Sequence, residues 1–269
     1  MRADRSTFRI ATWNVLATSY IRPKFYPGTP QYILDPERRT SAVVQHAAGL
    51  GVDILCLQEV EGPVFAALAE GLAPLGYSGT FAPKNGGKPD GCAILFRTGF
   101  CDLLAERHHV YADALNGSAN SGHLGQVCLL NVSGTIVALV NTHFKWDAPQ
   151  TPAEKQIGLR QANLALAILR QEASSSTIQM ICGDFNATPD SSLVSCLIDA
   201  GFDYTHRTCS NVFTCNSNHQ PKLIDYVFFR GPVRAEPEPL PAIDELTALP
   251  SLEQPSDHLP LIACMYTGL

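Results

Sequence analysis

The chain has 269 residues, of which 45% are hydrophobic and 16% are charged. This composition indicates a globular protein with a sizeable core and excludes a disordered chain. The formal net charge of −6 argues against a broad nucleic-acid-binding surface, which needs a basic face, but allows a phosphate substrate held around a metal ion.

Twelve segments in chain order have the pattern of a strand or a helix. They are strand Phe8–Asn14, helix Pro36–Leu50, strand Asp53–Gln58, helix Pro63–Leu75, strands Cys92–Arg97, Val127–Val132 and Ile136–His143, helix Ala153–Ala173, strand Ile178–Asp184, a helix from Asp190-Ser191 to Ala200-Gly201, and strands Leu223–Phe229 and Leu259–Met265. Pro residues between 234 and 255 predict a surface loop. Strands and helices mixed along the whole length, with hairpin-like neighbours, predict mixed sheets covered by helices, an α/β fold formed by residues 1–269 as one domain.

The cysteines and the N-terminus bear on the compartment. Nine Cys is an odd number, and most lie in apolar runs, where a free thiol behaves as a small core residue. The opening MRADRSTFRIATWNVL lacks the apolar segment of a secretion signal, and no run approaches the roughly 18 apolar residues of a membrane span. We therefore expect a cytoplasmic protein that contacts no membrane and has no obligate protein partner.

Polar residues at the ends of apolar strands are the informative positions. They are Asn14, Gln58, Glu59, Asn141, His143, Lys145, Asp147, Asp184, Asn186, Asp225, Asp257 and His258. A core rarely tolerates isolated carboxylates, because an unpaired buried charge is very costly. The strand ends are therefore expected to converge on one polar site.

Metal-assisted hydrolysis of a phosphoester is the chemistry that these residue types support. Mg²⁺ takes oxygen ligands and retains several waters, so that one or two carboxylates suffice, and Glu59 with Asn14 is the expected ligand pair. Asp184, or less favourably His258, is the expected group at the attacking water. Asn186 and His143 would contact the phosphate, and Asp225 would fix the tautomer of His258.

Three further residues are candidates for contact with the substrate. Trp146 offers a ring on which a base can stack, and Lys84 and Lys145 could meet flanking phosphates. The alternative is a packed Trp and two solvated Lys. A separate group, His206, Cys209, Cys215 and His219, lacks the paired spacing of a zinc site and is better interpreted as an ordinary loop.

Six motifs in order carry a family resemblance. WNVL, LQEV, NTH, GDFNATPDS, LIDY and SDHLP resemble those of the endonuclease/exonuclease/phosphatase superfamily, which includes deoxyribonuclease I. Within it, FAPK, DGCA and NTHFKWDAP resemble the branch of the deadenylases, nocturnin and the Angel proteins.

This resemblance implies a four-layer sandwich of two mixed β-sheets flanked by helices, with the site at one edge. It implies Mg²⁺ as the cofactor, with Mn²⁺ as a substitute, and the residue roles given above. It also implies that Asp257 assists a second metal ion or the leaving group. The chain departs from the branch in its short segment between DGCA and NTH.

Three functions follow as alternatives. The first is an Mg²⁺-dependent phosphodiesterase acting on RNA as a 3′-to-5′ exoribonuclease. The second is a phosphatase that removes a nucleotide 2′-phosphate or opens an RNA 2′,3′-cyclic phosphate, which the acidic net charge and the shortened segment favour. The third is an inactive binding module, against which the complete set of polar strand ends argues.

Overall fold

The computed structural model describes residues 7–115, 117–173 and 178–267. Its strands are β1 (Thr7–Asn14), β2 (Ile54–Glu61), β3 (Tyr77–Pro83), β4 (Asp90–Arg97), β5 (Cys101–Val110), β6 (Leu124–Val132), β7 (Thr135–His143), β8 (Ile178–Asp184), β9 (Asp203–Tyr204), β10 (Cys215–Ser217), β11 (Gln220–Lys222), β12 (Asp225–Arg230), β13 (Val233–Pro237) and β14 (Leu261–Thr267). Its helices are α1 (Pro36–Leu50), α2 (Gly62–Leu72), α3 (Ile157–Glu172) and α4 (Ser192–Asp199). The prediction about a secretion signal falls partly on residues 1–6, which lie outside the described residues.

Two six-stranded sheets form the centre of the fold. The first has the order β13-β14-β1-β2-β4-β3, and the second has the order β5-β6-β7-β8-β12-β9. Each contains one parallel pair, β1 with β2 and β7 with β8, and its other pairs are antiparallel. Both sheets are therefore mixed, as predicted.

Apolar side chains make three buried layers around these sheets. Residues such as Ile10 and Ile54 of the first sheet pack against Leu139 and Met180 of the second. Helices α1 and α2 cover the outer face of the first sheet, and α3 and α4 cover the outer face of the second. The predicted four-layer α/β sandwich is confirmed. No helix within the described ranges is long and apolar enough to cross a bilayer.

Local sequence signals account for the helix boundaries where the cap is also local. The Asp35 carboxylate accepts a hydrogen bond from the backbone N–H of Arg38 at 3.0 Å, and Gly51 ends α1 with a φ of 60°. Two predicted helices were too long, because Ala73–Leu75 and Ala153–Lys155 form separate 3₁₀ turns. The predicted loop at 234–255 was also wrong at its start, because β13 occupies its first residues.

Gly183 marks the closest approach of the two strands that deliver the polar residues. It pairs with Thr142 in the parallel β7–β8 ladder, and its φ is +149°. A Cβ at this position would lie 1.8 Å from the Thr142 carbonyl oxygen. Only glycine fits without a shift of backbone atoms.

We expect Gly183→Ala to lower the free energy of unfolding by about 2–4 kcal/mol, from backbone strain and a steric clash that no side-chain rotation relieves. Urea unfolding followed by circular dichroism measures the change. The matched control is Gly49→Ala in α1, where an added Cβ has nothing within 4 Å. There the same substitution should raise stability by about 0.5–1 kcal/mol. Equal effects at the two sites would contradict the prediction.

Candidate active site

One edge of the two sheets collects the polar strand ends. Asn14 ends β1, Glu59 lies in β2, His143 ends β7, Asp184 ends β8 and Asp225 begins β12. Asn186 follows β8, and Asp257 and His258 precede β14. Asp225 is thus the first residue of its strand, whereas the sequence had placed it inside the strand. Apart from Glu59 and Asn186, which are partly exposed, these side chains are buried.

Glu59 is turned into the site by a β-bulge. The register of β2 against β4 shifts between Leu57 and Val60, and Glu59 has a φ of 55°, which is rare for a residue with a side chain. Its Oε2 accepts a hydrogen bond from the backbone N–H of Ala17 at 2.9 Å. Burial raises the pKa of the Glu59 carboxyl, although Lys84 acts in the opposite direction.

Asn14 joins carboxylates from the two sheets. Its Nδ2 donates to Glu59 Oε1 at 3.1 Å and to Asp184 Oδ2 at 3.0 Å. Its Oδ1 accepts from the backbone N–H of Leu16 at 2.9 Å, which fixes the amide orientation. The predicted proximity of Asn14, Glu59 and Asp184 is therefore present in the structure.

Asn141 connects the sheets directly behind the site. From β7 it donates to the carbonyl oxygens of Leu57 at 3.0 Å and Ala93 at 2.9 Å, the last residue pair of β2 and β4 before the bulge. Its Oδ1 accepts from Gln58 Nε2 at 2.7 Å. The sequence placed Asn141 at a strand end but gave it no role. It holds the bulge that orients Glu59.

His143 lies between two polar partners. Its Nε2 is 3.0 Å from Asn186 Nδ2, which also donates to the Phe144 carbonyl at 3.0 Å, so the imidazole nitrogen accepts the second amide hydrogen. Its Nε2 is also 3.6 Å from Asp184 Oδ2. Burial, followed by the charge of Lys84, lowers the pKa of His143 well below its ordinary value. The ring is therefore neutral.

Lys84 lies behind this histidine. Its ammonium forms a buried ion pair with Asp90 Oδ2 at 2.6 Å and lies 3.4 Å from His143 Nδ1. The Tyr20 hydroxyl donates to the other Asp90 oxygen at 2.6 Å. Lys84 does not line the cavity beside the site, which is described below. Lys145 and Trp146, the other two residues predicted to contact the substrate, do line it. Its charge acts through His143.

Asp184, Asp225 and His258 form a hydrogen-bonded and charge-coupled group. His258 Nδ1 is 2.9 Å from Asp225 Oδ2, and His258 Nε2 is 3.7 Å from Asp184 Oδ2. Burial lowers the pKa of His258, but Asp225 and Asp184 outweigh it and the net shift is strongly upward. Burial raises the pKa of Asp184 to about 7, against the opposing charge of His258. Asp184 is therefore balanced between its protonation states near neutral pH.

Arg39 is a component of the site that the sequence prediction missed. Its guanidinium is buried and donates to the carbonyl oxygens of Val15, Leu16 and Pro255. It thereby ties the segment after β1 to the segment before β14. The sequence did indicate that Arg39 is buried, because it lies on the same face of α1 as the core residues Val43 and Ala47.

Asp257 has one carboxylate oxygen engaged and one without a partner. Oδ2 accepts from the Tyr26 hydroxyl at 3.1 Å. Oδ1 is buried and has no hydrogen-bond partner among the residues that the structure describes. Because Asp257 also raises the pKa of Glu59, the two carboxylates are close enough to repel each other.

These observations test whether a cation fits. Mutually repelling carboxylates and an unpartnered buried oxygen are stabilised by a bound positive charge, and an oxygen donor set suits a hard divalent ion. Glu59 and Asp257 offer such oxygens, whereas the Asn14 oxygen accepts from the Leu16 N–H and would reach the ion only after a rotation of the amide. The Asp184–Asp225–His258 group offers oxygens too, and Asp225 Oδ1 is likewise buried without a hydrogen-bond partner among the described residues. His258, whose pKa is raised by Asp225 and Asp184, already supplies positive charge there. The site therefore fits a divalent metal on the Glu59 side.

A cavity of about 720 Å³ opens beside these groups. Trp146, which is 56% exposed, and Lys145 line it on one side, and Lys222 lines it from the β10–β11 hairpin. The loop that carries Lys145 is held by Gln161, whose Oε1 accepts the Lys145 N–H at 2.7 Å. Asp147 holds it as well, by accepting from the N–H groups of Ile157 and Gly158 at the start of α3. Lys145 and Trp146 thus both line the cavity beside the polar strand ends.

The sequence offered four residues as a possible zinc site: His206, Cys209, Cys215 and His219. Their side chains have separate surroundings in the structure. His206 Nε2 is 3.0 Å from the Glu238 carbonyl, His219 Nδ1 is 2.7 Å from the Glu245 carbonyl, and Cys209 is exposed. Cys215 alone of the four lies at the site, beside His258. The described structure therefore does not bring these four residues into one cluster, and Cys215 lies in a strand rather than a loop.

Comparison with known proteins gives consistent similarities. A family model described as the endonuclease/exonuclease/phosphatase family matches residues 11–258. Ccr4, the 3′-5′-exoribonuclease subunit of the CCR4-Not complex of Yarrowia lipolytica, is 26% identical over 96% of this chain and 47% of its own length. The human 2′,5′-phosphodiesterase 12 is 26% identical over 96% of this chain and 51% of its own length. The chain spans about half the length of these curated relatives.

Solved structures show the same fold. ANGEL2, described as a 2′,3′-cyclic phosphatase, superposes with a TM-score of 0.83 at 21% identity, covering 98% of this chain and 96% of its own. The catalytic domain of human nocturnin superposes with a TM-score of 0.76 at 21% identity, with the same coverage of 98% and 96%.

Proposed function

Because the chain belongs to the endonuclease/exonuclease/phosphatase family, we propose that it is an Mg²⁺-dependent phosphodiesterase that hydrolyses RNA as a 3′-to-5′ exoribonuclease. The observation that carries the proposal is the Asn14 bridge between Glu59 and Asp184, because it joins a metal-binding carboxylate to a candidate base beside an open cavity. The exoribonuclease assignment rests on the similarity to Ccr4. We propose that residues 1–269 form one such domain.

The protein's own residues supply binding and proton transfer. Glu59, with Asn14 and Asp257, would hold the Mg²⁺ ion, for which Mn²⁺ could substitute. When bound, the ion neutralises phosphate oxygens and stabilises the charge that develops on them. Asp184 accepts the proton of the attacking water, and its position near a pKa of about 7 suits that task at neutral pH.

The amide and imidazole groups position the phosphate. Asn186 would donate an amide hydrogen to a phosphate oxygen when the substrate replaces His143 Nε2 as its acceptor, while the Phe144 carbonyl keeps the other hydrogen. His143 itself donates to the phosphate once its proton lies on Nε2. His258, protonated and fixed by Asp225, stabilises the ionised form of Asp184. These roles match those expected from the sequence, with Lys84 acting through His143 rather than on the substrate.

A phosphatase is the second candidate function. It is favoured by the similarity to ANGEL2, by the acidic net charge and by a cavity that would enclose a nucleotide. In that case the substrate would be a nucleotide 2′-phosphate or an RNA 2′,3′-cyclic phosphate. The set of bonded catalytic groups speaks against the third candidate, an inactive binding module.

The setting of the protein is part of the proposal. All nine cysteines lie in the described part of the chain, and each is a free thiol. This supports a reducing compartment, and we assign the protein to the cytoplasm. The substrate is the one partner that we propose, without an obligate protein subunit.

A panel of substrates with Mg²⁺ tests the function. It comprises 5′-labelled oligoadenylate, mixed-sequence RNA, single-stranded DNA, RNA ending in a 2′,3′-cyclic phosphate, and NADP⁺. A ladder that shortens from the 3′ end supports the exoribonuclease, and loss of the terminal phosphate from an intact chain supports the phosphatase. Full activity in excess chelator would contradict both assignments.

Trp146 should contribute binding rather than chemistry. Because stacking on one base is worth about 1–3 kcal/mol, we expect Trp146→Ala to raise KM for RNA about 5- to 150-fold with little change in kcat. Trp146→Phe, which retains a ring, is the matched control and should restore most of the affinity. An unchanged KM in Trp146→Ala would place the base elsewhere.

A further inference from the structure

Cys215 is a residue of the site to which the proposed mechanism gives no role. It begins β10, is 4% exposed, and forms an isolated β-bridge with His258. Its Sγ, one carboxylate oxygen of Asp257 and one ring nitrogen of His258 lie within 4.8 Å of one another. We propose that these three side chains form a binding site for a soft divalent cation such as Zn²⁺, and that its occupation inhibits the enzyme.

The donor set distinguishes this site from the one at Glu59. Thiolate, imidazole and carboxylate are the ligands that Zn²⁺ takes in proteins, with water completing four-coordination. Mg²⁺ prefers oxygen ligands alone and has little affinity for sulfur. The cavity edge thus carries an oxygen site for the hard ion and, through Cys215, a mixed site for a softer one.

Backbone hydrogen bonds fix the three residues relative to one another. The Leu259 N–H donates to the Thr214 carbonyl at 2.7 Å, and the Asn216 N–H donates to the Asp257 carbonyl at 3.0 Å. Cys215 is therefore held between two backbone contacts to the segment that carries Asp257 and His258. A cation would need small side-chain adjustments at this site, but no movement of the chain.

Asp257, which the site at Glu59 would also use, carries the same indication of a cation here. Its Oδ1 is buried and has no hydrogen-bond partner among the described residues, and the residue as a whole is 6% exposed. A buried carboxylate oxygen in this state is costly unless a positive charge or a donor meets it. Zn²⁺ bound by the neighbouring thiolate and imidazole would provide that charge.

Occupation would remove His258 from catalysis. Its Nδ1 is engaged by Asp225 at 2.9 Å, which leaves Nε2, now 3.7 Å from Asp184, as the nitrogen for the cation. Binding replaces the Nε2 proton and the thiol proton, and both are released to solvent. His258 then no longer stabilises the ionised form of Asp184. This inhibitory consequence rests on the proposed function, whereas the binding itself does not.

Cd²⁺ titration of the metal-free protein tests binding without any assay of activity. The ultraviolet charge-transfer band of a Cd²⁺–thiolate bond reports the cysteine ligand. We expect the band in the wild type and in Cys209→Ser, whose cysteine is exposed and does not line the cavity, and its loss in Cys215→Ser. Cys215→Ala serves as a second variant, and circular dichroism checks the fold of each. An undiminished band in both folded Cys215 variants would overturn the site.

Measurement of Zn²⁺ inhibition at saturating Mg²⁺ tests whether occupation of the site inhibits the enzyme. The rate of each variant with Zn²⁺ is compared with the rate of the same variant without Zn²⁺. Loss of a cation-binding side chain should raise the Zn²⁺ concentration for half-inhibition at least ~10-fold in Cys215→Ser. Equal inhibition of wild type and Cys215→Ser, relieved by more Mg²⁺, would place Zn²⁺ at Glu59 and overturn the proposal. Should no substrate be hydrolysed, the proposed function fails while the Cd²⁺ band still decides the binding site.

Discussion

Asp184→Asn should lower kcat by about 10²- to 10⁴-fold, the contribution typical of a positioned base. The substitution removes the charge and one of the two acceptor oxygens. Oδ2 accepts from Asn14 and Oδ1 accepts from the backbone N–H of Asn186 at 2.9 Å, and an asparagine can satisfy one of these donors with its oxygen but not both. Steady-state kinetics with Mg²⁺ on the best substrate of the panel measures the loss, and we expect KM to change much less than kcat.

Asp199→Asn is the matched control, because Asp199 is exposed at the end of α4, away from the cavity. It should leave both kinetic constants within about twofold, since surface substitutions away from special features are usually within ±0.5 kcal/mol. A fall in kcat of similar size in the two variants would indicate a general effect of the substitution. Retention of full turnover in Asp184→Asn would remove Asp184 from the role of base.

Glu59→Gln should reduce kcat at least ~10²-fold, and the remaining activity should no longer depend on Mg²⁺. The charge that holds the cation is lost while the shape is kept, and the single oxygen of Gln can accept from Asn14 or from the Ala17 N–H but not from both. The free energy of unfolding of the metal-free protein should change little, because the lost hydrogen bond and the lost charge act in opposite directions. Burial and Asp257 both disfavour the Glu59 charge, and the substitution relieves this cost.

Thermal unfolding with and without Mg²⁺ separates these effects. In the wild type, added Mg²⁺ should raise Tm, because a ligand that binds only the folded state stabilises it. This rise should disappear in Glu59→Gln and persist in Glu70→Gln, whose side chain is exposed on α2. A full Mg²⁺-induced rise in Glu59→Gln would show that the ion binds elsewhere.

Strands were predictable where the run was apolar and buried on both faces. The edge strands β3 and β5 escaped prediction for a physical reason. β5 is largely solvent-exposed and carries Glu106, Arg107 and two histidines, so it lacks the alternation of a half-buried strand. β13 was predicted as loop because of its prolines, which an edge strand tolerates where its N–H groups face away from the ladder.

The start of α3 shows why helix ends were less accurate than helix centres. The side chain that caps its first turn is Asp147, which reaches Ile157 and Gly158 from ten residues upstream. No local pattern marks such a cap, and the apolar periodicity therefore extended the prediction to Ala153. In α4, by contrast, Ser191 caps its own helix by accepting from Val194, and the prediction was close.

The acidic and histidine members of the site were predictable because each is an unpaired charge or imidazole at the end of an apolar strand. Their supporting residues were not. Arg39 and Asn141 bond mainly to backbone carbonyl groups from distant segments, and a carbonyl carries no residue-type signal. The environment of Lys84 was not predictable for a related reason. Its buried partnership with Asp90 depends on the hairpin formed by β3 and β4.

The position of β1 between β2 and β14 has a consequence for synthesis. On one side β1 pairs with β2, and on the other side it pairs with β14, the last described strand. Contacts between residues so far apart in the sequence form slowly during folding. A nascent chain on the ribosome therefore leaves one side of β1 open until Leu261–Thr267 has emerged. His258 precedes this strand by only a few residues. A chain that stops before Asp257 would therefore lack both the antiparallel partner of β1 and two polar residues of the site.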